Sequence, residues 1–139
     1  MFRKIAIAHD GSDGAAKAFS AAVTLAATHG AELHMVCVEA TPQIPATVDE
    51  VIEDRQDANR QFDKLCGPCR SEAKRKEVDL HAHVLYGHAV QKICEFVQYR
   101  NCDLLIAGYM GHSALYNRLI GSTTERLVEH APCAVLVVK

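Results

Sequence analysis

Short apolar runs alternate along this chain with longer segments in which apolar residues recur every three or four positions. An unbroken apolar run is typical of a strand buried on both faces, and the longer spacing is typical of a helix that buries one face. The alternation of the two patterns predicts βαβ units around a parallel sheet. Strands are predicted at residues 2–8, 33–38, 78–86, 103–107 and 134–138.

Helical segments separate these strands. The first helix should end at Gly30, because glycine readily adopts the left-handed conformation of a helix C-cap. A long polar helix is predicted from Val48 to near Lys76, and Gly67-Pro68 should disturb it because proline removes a helical hydrogen bond. A third helix follows the third strand, and the last begins at Ser122. Right-handed crossovers then predict a three-layer sandwich of doubly wound order.

Length and charge narrow the class of protein. A chain of 139 residues can form one domain with a real core, so a single domain over residues 1–139 is expected. The net charge is −2, from 15 basic and 17 acidic side chains mixed along the sequence, which argues against nucleic acid or a membrane surface as a partner. The absence of a signal-peptide or membrane-span pattern predicts a cytoplasmic protein with its six cysteines reduced.

Glycine and hydroxyl residues near the C-terminus form a pattern typical of phosphate binding. Gly108 directly follows the apolar run 103–107, and Gly111 comes three residues later. Glycine lets backbone amides approach an anion, and ligands of open α/β sheets bind at the carboxyl ends of strands. We therefore predict a phosphate site at the end of the fourth strand.

The start of the last helix should complete this site. Gly121 precedes Ser122, Thr123 and Thr124, and Ser122 with Glu125 has the S-x-x-E spacing of a capping box. A helix N-terminus presents free N–H groups and the positive end of the helix dipole to an anion. The spacing thus predicts that Ser122 caps this helix and that its first amides face a phosphate.

Taken together, the motifs after the strands resemble a known family. Ile7-Ala-His-Asp10-Gly-Ser12 follows the first strand, and Gly87 follows the third. The spacing Gly108-x2-Gly111-x9-Gly121-Ser122 follows the fourth, and His130-Ala-Pro-Cys-Ala-Val-Leu-Val-Val138 ends the chain. Over essentially its whole length the chain resembles a universal stress protein (a UspA-like domain) of the ATP-binding branch.

The resemblance implies a fold, a ligand and an assembly. The fold would be an α/β/α sandwich with a five-stranded, mainly parallel, Rossmann-like sheet of the adenine nucleotide alpha hydrolase type, in the strand order 3-2-1-4-5. The ligand would be ATP with Mg²⁺, and the protein would be a stress-response or regulatory module that forms a homodimer through Val135 to Val138. The nucleotide-binding residues that it implies are Asp10, Val38, Gly108, Gly111, His112, Gly121, Ser122, Thr123 and Thr124.

Elementary chemistry agrees with two of these roles. Asp10 lies just past the first strand, where its carboxylate can accept from a ribose hydroxyl or face a bound cation, and Val38 can offer apolar surface to an adenine edge. His112 stands where the family often has a basic residue. Because histidine is mostly neutral at pH 7, phosphate affinity is expected to be weaker or pH-dependent. His9 and His112 are both interpreted as polar loop histidines.

The predicted pocket lacks an apparatus for fast catalysis. No P-loop lysine follows a glycine run, and no general base lies at an assignable spacing from a γ-phosphate. We therefore expect slow ATP hydrolysis at most. An ATP-cleaving hydrolase of related fold is the alternative, although the loop His9-Asp-Gly-Ser-Asp-Gly14 only loosely approaches the glycine-rich loop of such enzymes.

Cys66-Gly-Pro-Cys69 supports another alternative, a redox-responsive or zinc-responsive module. A thioredoxin-type dithiol needs a helix N-terminus at its first cysteine, whereas a helical pattern precedes this one and favours two buried thiols. A helix break at Gly67-Pro68 would restore the redox hypothesis. For zinc, the nearest further ligands are His81 and His83, which share one face of the third strand.

Overall fold

The structure is a computed structural model that describes residues 1–40, 47–110 and 120–139. The five strands are β1 (Lys4–Ala8), β2 (Glu32–Glu39), β3 (Leu80–Tyr86), β4 (Leu104–Gly108) and β5 (Ala134–Val138). The helices of the described residues are α1 (Asp13–His29), α2 (Val48–Arg75), α3 (Ala89–Arg100) and α4 (Ser122–His130). Every predicted strand is confirmed, with its ends within two residues of the predicted positions.

The strands form one sheet in the order β3-β2-β1-β4-β5, and every pairing in it is parallel. This confirms the predicted doubly wound order. Chain order runs outward from β1 in one direction through β2 and β3, and resumes on the other side with β4. The carboxyl ends of β1 and β4 therefore flank the point where the order reverses, which is where sheets of this kind have a crevice.

Helices cover both faces of the sheet, which explains the unbroken apolar runs. Phe19 of α1 packs on one face with the buried cysteines of α2, and Phe96 of α3 packs on the other face with Leu127 of α4. Ile5 and Ala6 of β1 point to opposite faces, and both are fully buried. Because both faces of the central strands are buried, their sequences lack the alternating polar positions of a strand with one exposed face.

The ends of α1 follow the expected local chemistry. The Ser12 hydroxyl accepts a hydrogen bond from the backbone N–H of Ala15 and caps the first turn. Gly30 ends the helix in the left-handed conformation, with φ of 62°, and its N–H bonds back to the last turn. The predicted C-cap is confirmed.

The predicted capping box at Ser122 is wrong. Gly121 is the N-cap of α4, with extended φ and ψ of −64° and 141°, and no side chain of the described residues caps this helix. Ser122 is already the first helical residue, so its hydroxyl is not in the N-cap position. A capping box is instead formed at the start of α2, where Thr47 and Glu50 exchange side-chain and backbone hydrogen bonds.

Two glycines bring the start of α1 against the end of β4. A Cβ atom added to Gly108 would lie 2.8 Å from the carbonyl carbon and oxygen of Gly14 and 3.1 Å from the amide nitrogen of Ala15. A Cβ atom added to Gly14 would overlap the carbonyl oxygen of Met110. Because these neighbours are backbone atoms, a larger residue at either position would force the two elements apart.

Gly108→Ala should therefore destabilise the fold by about 1–3 kcal/mol, as overpacking against a rigid neighbour does. Gly67→Ala is the control, because outside its chain neighbours and its own helix nothing lies within 4 Å of a Cβ added there, inside α2. Its expected effect is within about 1 kcal/mol of zero, since the higher helix propensity of alanine is opposed by crowding of its Cβ against the ring of Pro68. Urea unfolding measures both variants, and equal stabilities would contradict the close packing of Gly14 and Gly108.

Candidate functional site

A cleft opens at the carboxyl ends of β1, β2 and β4 and extends to the start of α4. Its volume is about 680 Å³, including space that is open to solvent. The cleft lies at the point where the strand order reverses, between β1 and β4. The predicted site residues that line it are Asp10, Val38, Gly108, Gly121, Ser122, Thr123 and Thr124. The other two predicted residues, Gly111 and His112, lie outside the described residues.

The first turn of α4 forms the polar end of the cleft. The first hydrogen bond of this helix runs from the N–H of Glu125 to the carbonyl of Gly121. The amides of Ser122, Thr123 and Thr124 come before it, so they have no acceptor within the helix. No described residue caps them with a side chain. Three adjacent N–H groups and the positive end of the helix dipole therefore meet at the cleft, an arrangement suited to an anion.

Two of the predicted phosphate ligands already make structural hydrogen bonds. The Gly121 N–H donates to the carbonyl of Tyr109 at 2.9 Å, and the buried Thr124 hydroxyl donates to the carbonyl of Gly108 at 2.7 Å. These bonds tie α4 to the end of β4. The Gly121 N–H therefore already bonds within the protein. The Thr124 backbone N–H, unlike the Thr124 hydroxyl, remains among the N–H groups that face the cleft.

The loop after β1 holds Asp10 at the rim of the cleft. The exposed Asp10 carboxylate accepts from the backbone N–H of Ser12 at 2.9 Å and from the Ser12 hydroxyl. The same hydroxyl accepts from the first turn of α1, so the side chain that caps the helix also orients the carboxylate. This connection is a short-range turn of the kind that aspartate and serine favour.

His9 is not the polar loop histidine that was expected. It is only 4% exposed, its ring contacts Phe19 with the centroids 6.1 Å apart, and its Nδ1 accepts from the Gly11 N–H at 3.0 Å. Burial lowers the pKa of His9, an effect that the Asp10 carboxylate partly opposes. The alternation of Ile5 and Ile7 along β1 continues to residue 9 and could have revealed this inward direction.

Apolar side chains form the remaining walls. Val36 and Val38 come from β2, and Ala89 and Ile93 come from α3. The sequence analysis named only Val38 of these, because the contribution of α3 depends on how that helix crosses the sheet. A polar end and apolar walls are typical of a site for a small amphiphilic ligand.

The described lining is poor in catalytic groups. It contains no lysine or arginine, and its one imidazole, that of His9, already accepts a backbone hydrogen bond. In the described ranges, no three histidine, cysteine or acidic side chains are arranged to hold a metal ion. Among the described residues, the groups that could meet an anion in this cleft are therefore mainly backbone N–H groups.

The whole chain, residues 1–139, matches the family model of the universal stress protein family. The chain belongs to this family. A relative within it, a universal stress protein of Methanocaldococcus jannaschii, is 31% identical over 148 residues, which cover all of this chain and 83% of the relative. The resemblance inferred from the sequence motifs is confirmed.

Solved structures of the family share the fold. The universal stress protein UspA of Lactobacillus plantarum is 29% identical, with a TM-score of 0.86 over 99% of this chain and 98% of its own. A universal stress protein solved in complex with cAMP has a TM-score of 0.77 at 22% identity, over 99% of this chain and 97% of its own. The second likeness, at this level of identity, concerns the fold alone.

Cys66 and Cys69 lack the geometry of a redox dithiol. Both lie inside α2, which continues through Pro68 to Arg75, so neither is at a helix N-terminus. Both thiols are buried, and burial raises the pKa of Cys66 above its usual value and that of Cys69 to about 11. The helix break at Gly67-Pro68 that would have restored the redox hypothesis does not occur, since α2 is one continuous helix there. A buried thiol with a raised pKa is a weak nucleophile.

The zinc hypothesis fails on geometry as well. Cys66 and Cys69 belong to the core on the α1 and α2 side of the sheet, whereas the ring of His83 contacts Phe96 of α3 on the opposite side. His81 shares the face of His83 because the two are two positions apart on β3. The sheet therefore separates the two pairs of proposed ligands.

Alkylation of the folded protein should separate the thiols by burial. Cys94 and Cys133 are half-buried and should react first, whereas Cys66 and Cys69 should react on the order of tenfold or more slowly until the chain unfolds. Peptide mapping after timed iodoacetamide treatment measures the order. Early labelling of Cys66 or Cys69 in the folded protein would contradict their inert environment.

Proposed function

We propose that this chain binds ATP with Mg²⁺ in the cleft between β1, β4 and α4 and acts as a nucleotide-dependent regulatory module of the stress response. The observation that carries the proposal is the set of three N–H groups of Ser122, Thr123 and Thr124 that lack an acceptor in the helix and line the cleft. An anion there would satisfy donors that have no acceptor among the described residues, which is how phosphate groups bind at helix N-termini.

The chemistry of the cleft fits the parts of the proposed ligand. The triphosphate would bind the amides of α4 and the backbone near Gly108, with Gly111 and His112 as further proposed contacts. The base would pack on Val38, and the ribose hydroxyls would be held by Asp10. Mg²⁺ prefers a few oxygen ligands and keeps several waters, so phosphate oxygens with at most the Asp10 carboxylate are a suitable set.

An adenine nucleotide is the ligand class that the family relation favours. A solved universal stress protein has cAMP bound, and it shares the fold of this chain. The apolar walls from β2 and α3 suit a flat base, and the polar helix end suits a phosphate. Within the class of adenine nucleotides we propose ATP, and this choice rests on the spacing of the glycine motif.

A regulatory role agrees with the groups in the described part of the cleft. No lysine, arginine or uncommitted imidazole lines it, so hydrolysis should be slow at most. Bound nucleotide would instead bias the loops after β1 and β4 and so change the surface shown to partners.

In the portions described, no helix has both the length and the apolar character to cross a bilayer. We place the module in the cytoplasm.

Ser122→Pro should weaken ATP binding roughly 10- to 100-fold, because it removes one N–H that would bond a charged phosphate. Proline is well tolerated at the first position of a helix, and the extended Gly121 before it is compatible with proline. Isothermal titration with ATP and Mg²⁺ measures the change, and AMP and cAMP titrated in parallel test the choice of nucleotide.

Ser122→Val is the matched control for this test. It removes the hydroxyl and adds similar bulk but keeps the amide, so its affinity should stay well above that of Ser122→Pro. Equal affinities of Ser122→Pro and the unchanged protein would contradict the amide site. Absence of any thermal shift with excess nucleotide would contradict the function, since ligand at a hundred times its Kd adds about 2.7 kcal/mol of stability.

We also propose a homodimer through β5. This strand pairs with β4 on one side only and ends the sheet, and Leu136 on it is 37% exposed. An apolar edge strand invites pairing with a second copy.

Leu136→Lys should convert the dimer to a monomer, because a charge on the edge strand opposes pairing. Ile52→Lys is the control, since Ile52 is an exposed apolar residue on α2, away from β5. Sedimentation velocity distinguishes the species. A dimer that survives Leu136→Lys and dissociates in Ile52→Lys would locate the interface elsewhere.

A further inference from the structure

Histidine rings from β2 and β3 form a cluster beneath α3, on the opposite face of the sheet from the buried cysteines of α2. His34 is aligned with His81 in the strand register, and its ring stacks on the rings of both His81 and His83 at centroid distances of 4.9 and 5.3 Å. His34 is only 4% exposed. His83 is half-buried and His81 is exposed. This histidine cluster plays no part in the function proposed above.

The hydrogen bonds of this cluster determine its protonation. His34 Nε2 lies 3.3 Å from the Glu32 carboxylate, and His34 Nδ1 lies 3.1 Å from His83 Nε2. A carboxylate can only accept, so His34 Nε2 must carry a hydrogen. In the neutral ring Nδ1 is then an acceptor, and His83 Nε2 must donate to it. The network is complete with both rings neutral and both in the Nε2–H tautomer.

Helix α3 closes over these rings. Phe96 contacts the ring of His83 at a centroid distance of 4.7 Å and that of His34 at 5.8 Å. The guanidinium of Arg100 also lies over the Phe96 ring, 5.7 Å from its centroid. The docking of α3 thus covers the histidines with an aromatic ring and brings a permanent cation near them.

We propose that the His34–His83 pair is a proton-operated latch, which holds α3 on the sheet while both rings are neutral and releases it when they take up protons. The groups that face the pair are Glu32 on β2, Asp79 just before β3, His81 on β3, and Arg100 on α3. Asp79 is hydrogen-bonded to His81 at 3.0 Å, and among the described residues the carboxylate bonded to the pair itself is that of Glu32.

The two protonation steps have different consequences. A first proton on His83 Nδ1 keeps the bond to His34 but places a cation under Phe96 and near Arg100. A second proton needs His34 Nδ1, so that two N–H groups would face each other across 3.1 Å. Doubly protonated rings therefore cannot keep this geometry, and α3 must move for water to reach the buried ring of His34, which Phe96 covers.

The direction of the pH effect follows from the same contacts. Burial, together with His34 and Arg100, lowers the pKa of His83 from 6.5 to about 4, and burial also lowers that of His34, although Glu32 opposes the shift. The released state takes up protons more readily than the latched state between about pH 6.5 and 4. The latch is therefore closed above this window and opens as the pH falls through it.

This latch acts on a wall of the cleft. Ala89 and Ile93 of α3 line the cleft, so release of α3 at low pH would also weaken ligand binding in the cleft. That consequence rests on the proposed function, whereas the latch itself does not. The test is therefore made without nucleotide, and loss of the proposed function would leave its result unaffected.

Hydrogen exchange of the full-length protein at about pH 7 and about pH 5 measures the release of α3. After correction for intrinsic rates, the amides of α3 should exchange about tenfold faster at the lower pH, because the open state binds a proton that the closed state resists. In His83→Gln the ratio should fall to about twofold or less, since this amide can still donate to His34 but does not titrate.

His88→Gln is the matched control. His88 is the exposed N-cap residue of α3 and makes no capping side-chain bond, so the same substitution there should leave the acid response of α3 unchanged. An acid response that is lost in His88→Gln and kept in His83→Gln would overturn the proposal. So would an unchanged exchange rate of α3 in the wild-type protein at the lower pH.

Nitrogen-15 spectra of the histidine rings give a second measurement that needs no variant. At about pH 7 both His34 and His83 should show the Nε2–H tautomer, and the His83 ring should stay neutral at about pH 5. A His83 ring that titrates near its ordinary pKa of 6.5, or that shows the Nδ1–H tautomer, would overturn the latch.

Discussion

The close approach of Gly14 to Gly108 is the constraint on which the site depends. With no side chain at either position, the first turn of α1 lies directly against the end of β4. That contact brings the loop with His9 and Asp10 to the same place as the start of α4. A phosphate-binding role for Gly108 is a natural interpretation of its sequence, yet packing alone already requires glycine there.

The end of β4 also holds α4, and it does so in a way that leaves donors open. The Thr124 side chain bonds to Gly108, and the Gly121 amide bonds to Tyr109, so the helix is anchored by groups at its edge. Because the N-cap is a glycine, the N-cap residue has no side chain to satisfy the next amides, and no other side chain in ranges 1–40, 47–110 and 120–139 caps them. The start of α2 has a full capping box by contrast, and its first turn is accordingly no candidate for an anion site.

The two faces of the sheet are covered over different kinds of side chain, cysteines on one and histidines on the other. The α2 face buries thiols, whose charged form is disfavoured so strongly that they behave as small apolar residues. The α3 face holds the buried His34 and the half-buried His83, whose hydrogen bonds, ending at Glu32, are complete with both rings neutral. In the proposed latch this face responds as the pH falls from about 6.5 towards 4, because doubly protonated rings cannot keep that geometry.

The sequence by itself determined the strands, a mainly parallel sheet of doubly wound order and the identity of the residues at the strand ends, because apolar runs and turn residues express local preferences and crossovers are right-handed. The family resemblance placed Asp10, Val38 and Ser122 in the cleft, and their positions at strand and helix ends agree with it. Only the tertiary structure decided which atoms in the cleft already make contacts within the protein. The groups that do so through partners from other elements are the Gly121 amide, the Thr124 hydroxyl and the inward ring of His9. The contact of His34 with His83 joins strands 49 residues apart, and their alignment follows from packing of the whole sheet, which no local pattern encodes.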